Sequence, residues 1–553
     1  MFKKDLIKEK KTKIKDWFKD NYNLTFFLIF CLLIIYKLYW FFKLGNQPLW
    51  WDEADYMNIA RVWAGTSIEW TISPVRPVLL SAIISIFMFF GLGEVSTRIF
   101  ILLCSTVSIP LLYGIGKLFF SKRVALISAF ILATFWTFNF YSYRILVDVP
   151  VTMLWLATIY FFFDAYFKDK SWKHFILPGI FLGLSFLMKQ SSVILVLVLG
   201  FYLLTTEKFK IFKDKKIITF FIVSLLVVMP FFIYQYMNFG NPMQFNKTGA
   251  ETGNPHRNDL SDNLKSLIRQ VPFILNKIYS LFKYILFFGL FSLMSNIFLL
   301  REQISIKKTK TNNYYFLILW IVFSLIFFAK LVSSDTSYLD ERYYFVFYPA
   351  IFLICGVGFE YIYKILKKYS KELSIIIIIG ILLFGAFQNI AHANEIIKIR
   401  KDSFIQSKLA GEFINQNTNP EDIIFILEEQ AEVTYYSKRN FVHINKETSK
   451  SIQEKLKIHK PKYIVMSFYY SLGNNFSYDI INFVFANSQI FKPVQAYAPY
   501  LDKDNTIPTA IIFKVSPNQG ILDNNNYLRA FDTSSGYILS EKELIRLSEI
   551  WGK

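Results

Sequence analysis

The sequence predicts a polytopic α-helical membrane protein of about eleven transmembrane helices, with a long outer first loop and a small C-terminal α/β soluble domain. Three observations predict it. Hydrophobic residues make up 54% of the 553 and mean hydropathy is +0.35, more apolar surface than a soluble globule could hide. Eleven apolar runs approach the ~20 residues that a helix needs to cross a bilayer. Beyond residue 391 the pattern turns polar and breaks into short helix-like and strand-like segments. A disordered chain is excluded, because disorder needs low hydrophobicity.

The spans are expected at 24–42, 97–120, 124–143, 149–167, 173–188, 191–205, 217–236, 279–300, 313–331, 344–363 and 373–391. Basic clusters at 1–19, 117–123, 168–173, 208–216, 301–310 and 364–371 then all fall on one side, which the positive-inside rule makes cytoplasmic. The apolar run 77–90 is left out of the count. Counting it would place Lys122 and Arg123 outside, and a segment of about 14 residues is more often interfacial. It is expected as a juxtamembrane helix within the outer loop 43–96. Spans 173–188 and 191–205 are short, and one kinked helix is the alternative.

Residues 1–23 form a basic cytoplasmic arm, too long and charged for a cleaved signal segment. The membrane domain is expected over 24–394 and the extracytoplasmic domain over 395–553. This gives a multi-pass cell-membrane protein with a cytoplasmic N-terminus. In the last domain 422–427, 462–467 and 508–515 read as strands, and 403–416, 447–458 and 477–488 as helices. No phosphate-cradling glycine loop is found there.

The net charge of +20 would suggest nucleic acid in a soluble protein. Here the basic residues set topology instead, and no nucleic-acid partner is expected. Cys31, Cys104 and Cys355 all lie in apolar runs, so no disulfide framework or thiolate metal site is expected.

Charges are costly in lipid and therefore informative. On this topology they gather at the outer edge. The first loop carries Asp52, Glu53 and Asp55 in WWDEADY, and a helix starting at Asp52 would put Asp52 and Asp55 on one face. Arg76 closes the same loop in PVRP. Arg144 and Asp148 lie in YSYRILVDVP, Lys189 is followed by Gln190, and a later loop holds Asp335, Asp340, Glu341, Arg342 and Tyr343. Each has a bland reading: a solvated loop for the first acids, a structural ion pair for Arg144 and Asp148, a snorkelling Lys189, an interfacial anchor for Arg342. Their coincidence at one depth favours function. Carboxylates can act as bases or hold a divalent cation, and cations can hold a phosphate. Together they suit transfer of a sugar from a lipid-linked phosphosugar to an acceptor hydroxyl, with no nucleotide, haem or flavin required.

These stretches resemble the GT-C membrane glycosyltransferases that use polyprenyl-phosphate sugars, within the dolichyl-phosphate-mannose-protein mannosyltransferase superfamily. The similar branch holds the protein O-mannosyltransferases, the lipid A aminoarabinose transferase and the rhizobial RgtA/B/C/D-like enzymes. The resemblance covers roughly 45–365 and rests on WWDEADYMNIARVW, SPVRPVLLSAI, EVSTRIFILLCSTVSIPLLYGIGKLFF, YSYRILVDVPVTMLWLATIYFF, GLSFLMKQ, YQYMNFGNP and DERYYFVFYPA. It implies an inverting transferase with Asp52, Glu53 and Asp148 as catalytic acids. It implies that Arg76, Lys189 and Arg342 contact the donor phosphate; Asp55, Arg144 and Tyr343, at the same outer edge, are expected to contact substrate as well. If a divalent cation takes part, Asp52 and Asp148 are its ligands; Val-Arg-Pro stands where some members have Glu-Lys-Pro-Pro. The implied partners are a polyprenyl-phosphate-sugar donor, a glycan, lipid or protein acceptor, and membrane lipid. The competing readings are a transporter or flippase of lipid-linked sugars, which would want midplane charges and inverted repeats, and an oligosaccharyltransferase-like enzyme. The sequons at Asn246 and Asn475 would face outward.

Overall fold

Every run expected to span contains a helix in the computed structural model, which describes residues 15–66, 69–245, 282–299, 311–331, 341–427, 430–444, 449–467, 489–497 and 510–516, with a few single positions between 480 and 487. The basic run 301–310, Asp335, Asp340 and both sequons lie outside the described residues. Among the described residues, seven helical stretches are long and apolar enough to cross a membrane by length and composition: Asn21–Lys43, Glu94–Phe119, Asp148–Phe167, Gln190–Phe212, Lys215–Phe239, Tyr348–Leu366 and Lys371–Asn417. The protein is thus a multi-pass membrane protein.

The chain divides into two units. The first comprises residues 1–45, 73–80 and 92–398, the second 46–72, 81–91 and 399–553. The first loop therefore groups largely with the C-terminal domain.

The first unit is helical. Its opening span α1 (Asn21–Lys43) is capped by Asp20, whose side chain accepts from the backbone of Tyr22 and Asn23. The first loop holds α2 (Trp51–Trp63) and α3 (Val78–Phe89). At twelve residues, α3 reaches about 18 Å, short of the ~30 Å hydrocarbon core, which agrees with leaving 77–90 out of the count. Helix α4 (Glu94–Phe119) follows and packs on α5 (Lys122–Thr134).

The run expected as one span over 124–143 is broken. Helix α5 stops at Thr134, Phe135 turns extended, and α6 (Trp136–Tyr141) restarts the chain. Asn139 makes the break tolerable, since its side-chain amide donates to the freed carbonyls of Ala133 and Phe135 at 2.9 and 3.1 Å. Helices α7 (Asp148–Phe167) and α8 (Ile176–Met188) come next, then α9 (Val193–Glu207) and α10 (Lys215–Phe239). The backbone at Lys189 is extended, φ −160° and ψ 120°, so α8 and α9 are separate helices. Later come α11 (Phe282–Leu299), α12 (Thr311–Leu331), α13 (Tyr348–Leu366) and α14 (Lys371–Arg400). Helices α11 and α13 meet at facing glycines: a Cβ on Gly289 would lie 2.1 Å from the Ile354 carbonyl oxygen. Small residues let membrane helices approach this closely. All three cysteines are unbonded.

The second unit holds α15 (Ile405–Asn417), β1 (Ile424–Ile426), α16 (Ala431–Ser437), β2 (Phe441–His443), α17 (Ser449–His459), β3 (Tyr463–Ser467), β4 (Phe491–Tyr497) and β5 (Ala510–Val515). Its sheet has the order β2-β1-β3-β5-β4, with β1 parallel to β2 and β3, and β5 antiparallel to β3 and β4. Side chains alternate across the sheet. Ile424, Ile426, Val465 and Ile512 join one apolar cluster with Ala410 and Val433, while Phe425, Ile464 and Phe513 join another with Ile452 and Leu456. Both faces are covered, as parallel strands require. The three expected strands and two of the three helices are present. Strands β2 and β4 were not expected, and the helix expected at 477–488 lies mostly outside the described residues.

Candidate functional site

The first unit places Asp148 in the opening turn of α7, where unpaired backbone N–H groups favour a negative charge. Pro150 sits in the same turn, where its missing donor costs nothing. Asp148 is 2% exposed. Lys189 reaches it from the break between α8 and α9, its Nζ donating to Asp148 Oδ1 at 2.6 Å. The break itself is tied to α7: Ser192 donates to the Ser185 carbonyl at 2.8 Å and accepts from Trp155 Nε1 at 2.8 Å. Lys189 is thus held in the conformation that aims its ammonium at Asp148.

Tyr343 lies on a 3-10 turn, Glu341–Tyr344. Its ring is 4.8 Å from Lys189 Nζ and 5.7 Å from Arg342 Cζ, within cation–π range. Sequence positions 148, 189, 342 and 343 therefore meet in one constellation. Lys189 keeps part of its surface exposed and has donors beyond the one given to Asp148. It is suited to an oxyanion. Arg144, 1% exposed, lies in the turn before α7 with its guanidinium 5.9 Å from the Phe140 ring. Arg76 is half-buried in a turn closed by its own N–H to the Ser73 carbonyl; Gln235 of α10 donates to Pro74 O at 3.1 Å in the same turn.

The second unit carries the first-loop acids on α2. Glu53 is fully buried, and its carboxylate accepts from the Trp50 N–H at 2.7 Å, capping the helix start. Asp55 is also buried and accepts from Trp70 Nε1 at 2.7 Å. Asp52 stays half-exposed. The helix is pinned to α16: Asn58 Nδ2 donates to the Ala431 carbonyl at 2.9 Å, and Arg61 donates to the Tyr435 carbonyl while its guanidinium stacks 3.8 Å from the Tyr435 ring. Leu49 N–H donates to Tyr436 Oη at 3.0 Å, and Lys408 donates to Asn46 Oδ1 at 2.6 Å. Sequence reasoning missed this clamp, although Asn58 and Arg61 stand inside the acidic motif. It also missed Lys37 and Arg98, buried in the first unit. Among the described residues no cluster of three or more His, Cys, Asp or Glu gathers to hold a metal.

Residues 73–234 match the family described as dolichyl-phosphate-mannose-protein mannosyltransferase. That stretch contains Arg76, Arg144, Asp148 and Lys189. The crystal structure of ArnT from Cupriavidus metallidurans bound to undecaprenyl phosphate is similar at TM-score 0.61 and 14% identity, covering 88% of this chain and 98% of that one. The chain has the GT-C fold. Two structures of the Archaeoglobus fulgidus oligosaccharyltransferase share this fold. AglB with an inhibitory peptide and a dolichol-phosphate matches at TM-score 0.54 and 14% identity, covering 92% of this chain and 76% of that one. A complex with zinc and sulfate matches at 0.53 and 14%, covering 76% and 64%. A comparison of the chain's sequence with curated proteins found no match.

Proposed function

We propose that this chain is a glycosyltransferase that moves a sugar from a polyprenyl phosphate to an acceptor hydroxyl at the outer face of the membrane, with inversion at the anomeric carbon. The observation that carries this reading is the Asp148–Lys189–Tyr343–Arg342 constellation at a broken helix, whose Asp148 and Lys189 lie within the matched stretch. The ArnT and AglB structures hold undecaprenyl phosphate and dolichol-phosphate, as their descriptions state. A phosphate monoester-type leaving group needs cations that strengthen their hold as charge develops, and Lys189, Arg342 and Arg76 supply them.

In the proposed step the acceptor oxygen bonds to the anomeric carbon. The bond from that carbon to the phosphate oxygen breaks, its electron pair leaving with the polyprenyl phosphate. Asp52, the half-exposed acid of α2, takes the acceptor's proton. Asp148 holds Lys189 in place. Glu53 serves by capping the helix that presents Asp52, and Asp55 and Tyr343 shape the substrate contacts. Arg144 supports the donor side. The domain division we propose is a membrane catalytic part within 24–394 and an extracytoplasmic part over 395–553, with the N-terminus cytoplasmic. The one-sided basic clusters support this orientation.

A divalent cation fits the donor set poorly. Asp148 already holds an ammonium at 2.6 Å, which a metal ion would have to displace. No step is routed through a metal, and transfer should persist within about twofold in EDTA. Loss that added metal restores would overturn this.

The test offers a panel of polyprenyl-phosphate sugars and host membrane extract to the full chain in nanodiscs. Wild type should consume one donor, while Asp52→Asn and Asp148→Asn lose roughly 100-fold or more in kcat. Undiminished transfer in both variants would remove these acids from the mechanism. Lipid movement without donor consumption would favour a transporter.

A further inference from the structure

A lysine is buried in the first span without a carboxylate partner among the described residues. Lys37, on α1, is 1% exposed. Its Nζ donates to Ser105 Oγ at 2.7 Å and to Ser142 Oγ at 2.9 Å, and lies 5.6 Å from the Phe138 ring. The two hydroxyls are 2.6 Å apart, and Ser142 donates onward to the Phe138 carbonyl at 2.6 Å. The proton count closes: with the Ser142 proton given to Phe138, Ser105 donates to Ser142, and Lys37 fills an acceptor position on each. A cation in an apolar bundle is expensive, and such residues are retained for function.

The location says what that function is. Ser142 begins the non-helical stretch 142–147 between α6 and α7, buried along its whole length. Irregular backbone at membrane depth needs partners from neighbouring elements. Two buried basic side chains supply them at adjacent residues. Lys37 holds Ser142, and Arg98 of α4 donates to the Tyr143 carbonyl at 2.8 Å while paired to Glu94 at 2.6 Å. The stretch so held carries Arg144 and ends at Asp148.

We propose that Lys37 is a positioning residue: through Ser142 it sets the turn that presents Arg144 and starts α7 at Asp148. Its catalytic meaning rests on the sugar-transfer reading. Lys37 touches no substrate in this scheme, so its loss should lower kcat and spare KM.

The experiment compares wild type, Lys37→Met and Ser142→Ala as full chains in nanodiscs, by amide hydrogen exchange and by donor-consumption kinetics. Ser142→Ala keeps the ammonium and guards against a Lys37→Met chain that fails to fold. Exchange over 136–148 should rise about tenfold in Lys37→Met and less in Ser142→Ala, with α10 unchanged. In parallel kcat should fall about tenfold or more with KM within about threefold. Unchanged exchange over 136–148 in both variants overturns the inference, whether or not wild type transfers sugar. So does raised exchange with undiminished kcat. A wild type that consumes no donor sinks the reaction reading, and the exchange arm still decides whether Lys37 holds the turn.

Discussion

Two regions of this chain present carboxylates, and they hold them differently. In the first unit Asp148 is buried and answered by a full positive charge, Lys189 at 2.6 Å. In the second unit Asp55 accepts from an indole N–H and Glu53 from a backbone N–H, while Asp52 is half-exposed. The charge-answered site couples chemistry to stability, because neither partner can be removed alone without stranding the other. The helix of the second unit separates them. Its position is fixed by Asn58 and Arg61 against backbone carbonyls, donors on other residues than the half-exposed acid. A residue that must titrate during turnover belongs in the second kind of setting.

The largest expected effect tests the first setting. Lys189→Met leaves Asp148 as an uncompensated buried carboxylate, which costs about 3–5 kcal/mol. Thermal unfolding in detergent should drop steeply. Adding Asp148→Asn to it should recover most of the stability and none of the transfer. A single variant as stable as wild type would show that the pair carries no such burden.

Next comes the clamp on α2. Arg61→Ala removes a charged donor to the Tyr435 carbonyl and a stacking contact, worth about 1.5–3 kcal/mol locally. Proteolysis or hydrogen exchange over 46–66 should increase, and kcat should fall through a misplaced Asp52. Asp52→Asn, by contrast, should abolish transfer with that exchange unchanged. If the two variants behave alike, the separation of chemistry from hold is wrong. Trp70→Phe should act more weakly in the same direction, removing one hydrogen bond to Asp55, about 1 kcal/mol.

What the sequence made legible follows the same divide. Span positions were readable because bilayer thickness imposes a length and lipid imposes apolarity, and each run holds a helix. The break at Phe135 was not readable: 124–143 is uncharged throughout, and only the side chain of Asn139 reveals where freed carbonyls find a partner. Asp148 and Lys189 stood out as charges in apolar surroundings, yet they are 41 residues apart, and their pairing depends on a helix that stops at Met188. Lys37 was equally visible as a charge inside a span, and its meaning lay in two serines distant in sequence. The first loop was read as an appendage of the membrane domain. Its grouping with 399–553 comes from donors to backbone carbonyls, which have no sequence signature.

The smallest predicted effect lies in the second unit, away from the acids of α2. Asp422 precedes β1 and Lys462 precedes β3, neighbouring parallel strands, and their side chains meet at 3.0 Å. Burial alone would raise the Asp422 carboxyl. The Asn419 N–H, the Lys462 ammonium and the Arg439 charge outweigh burial and hold it below the ordinary carboxylate value. A group whose folded value is depressed contributes stability that is full above its unfolded value, near 4, and lost as pH falls through the folded one. Lys462 is 39% exposed on its side chain, so screening keeps the contribution to a few tenths of a kcal/mol. Asp422→Asn should therefore lower the melting temperature only slightly at pH 7, and the gap between variant and wild type should close below about pH 4. A gap that persists there would assign the effect to the Asn419 turn rather than to charge.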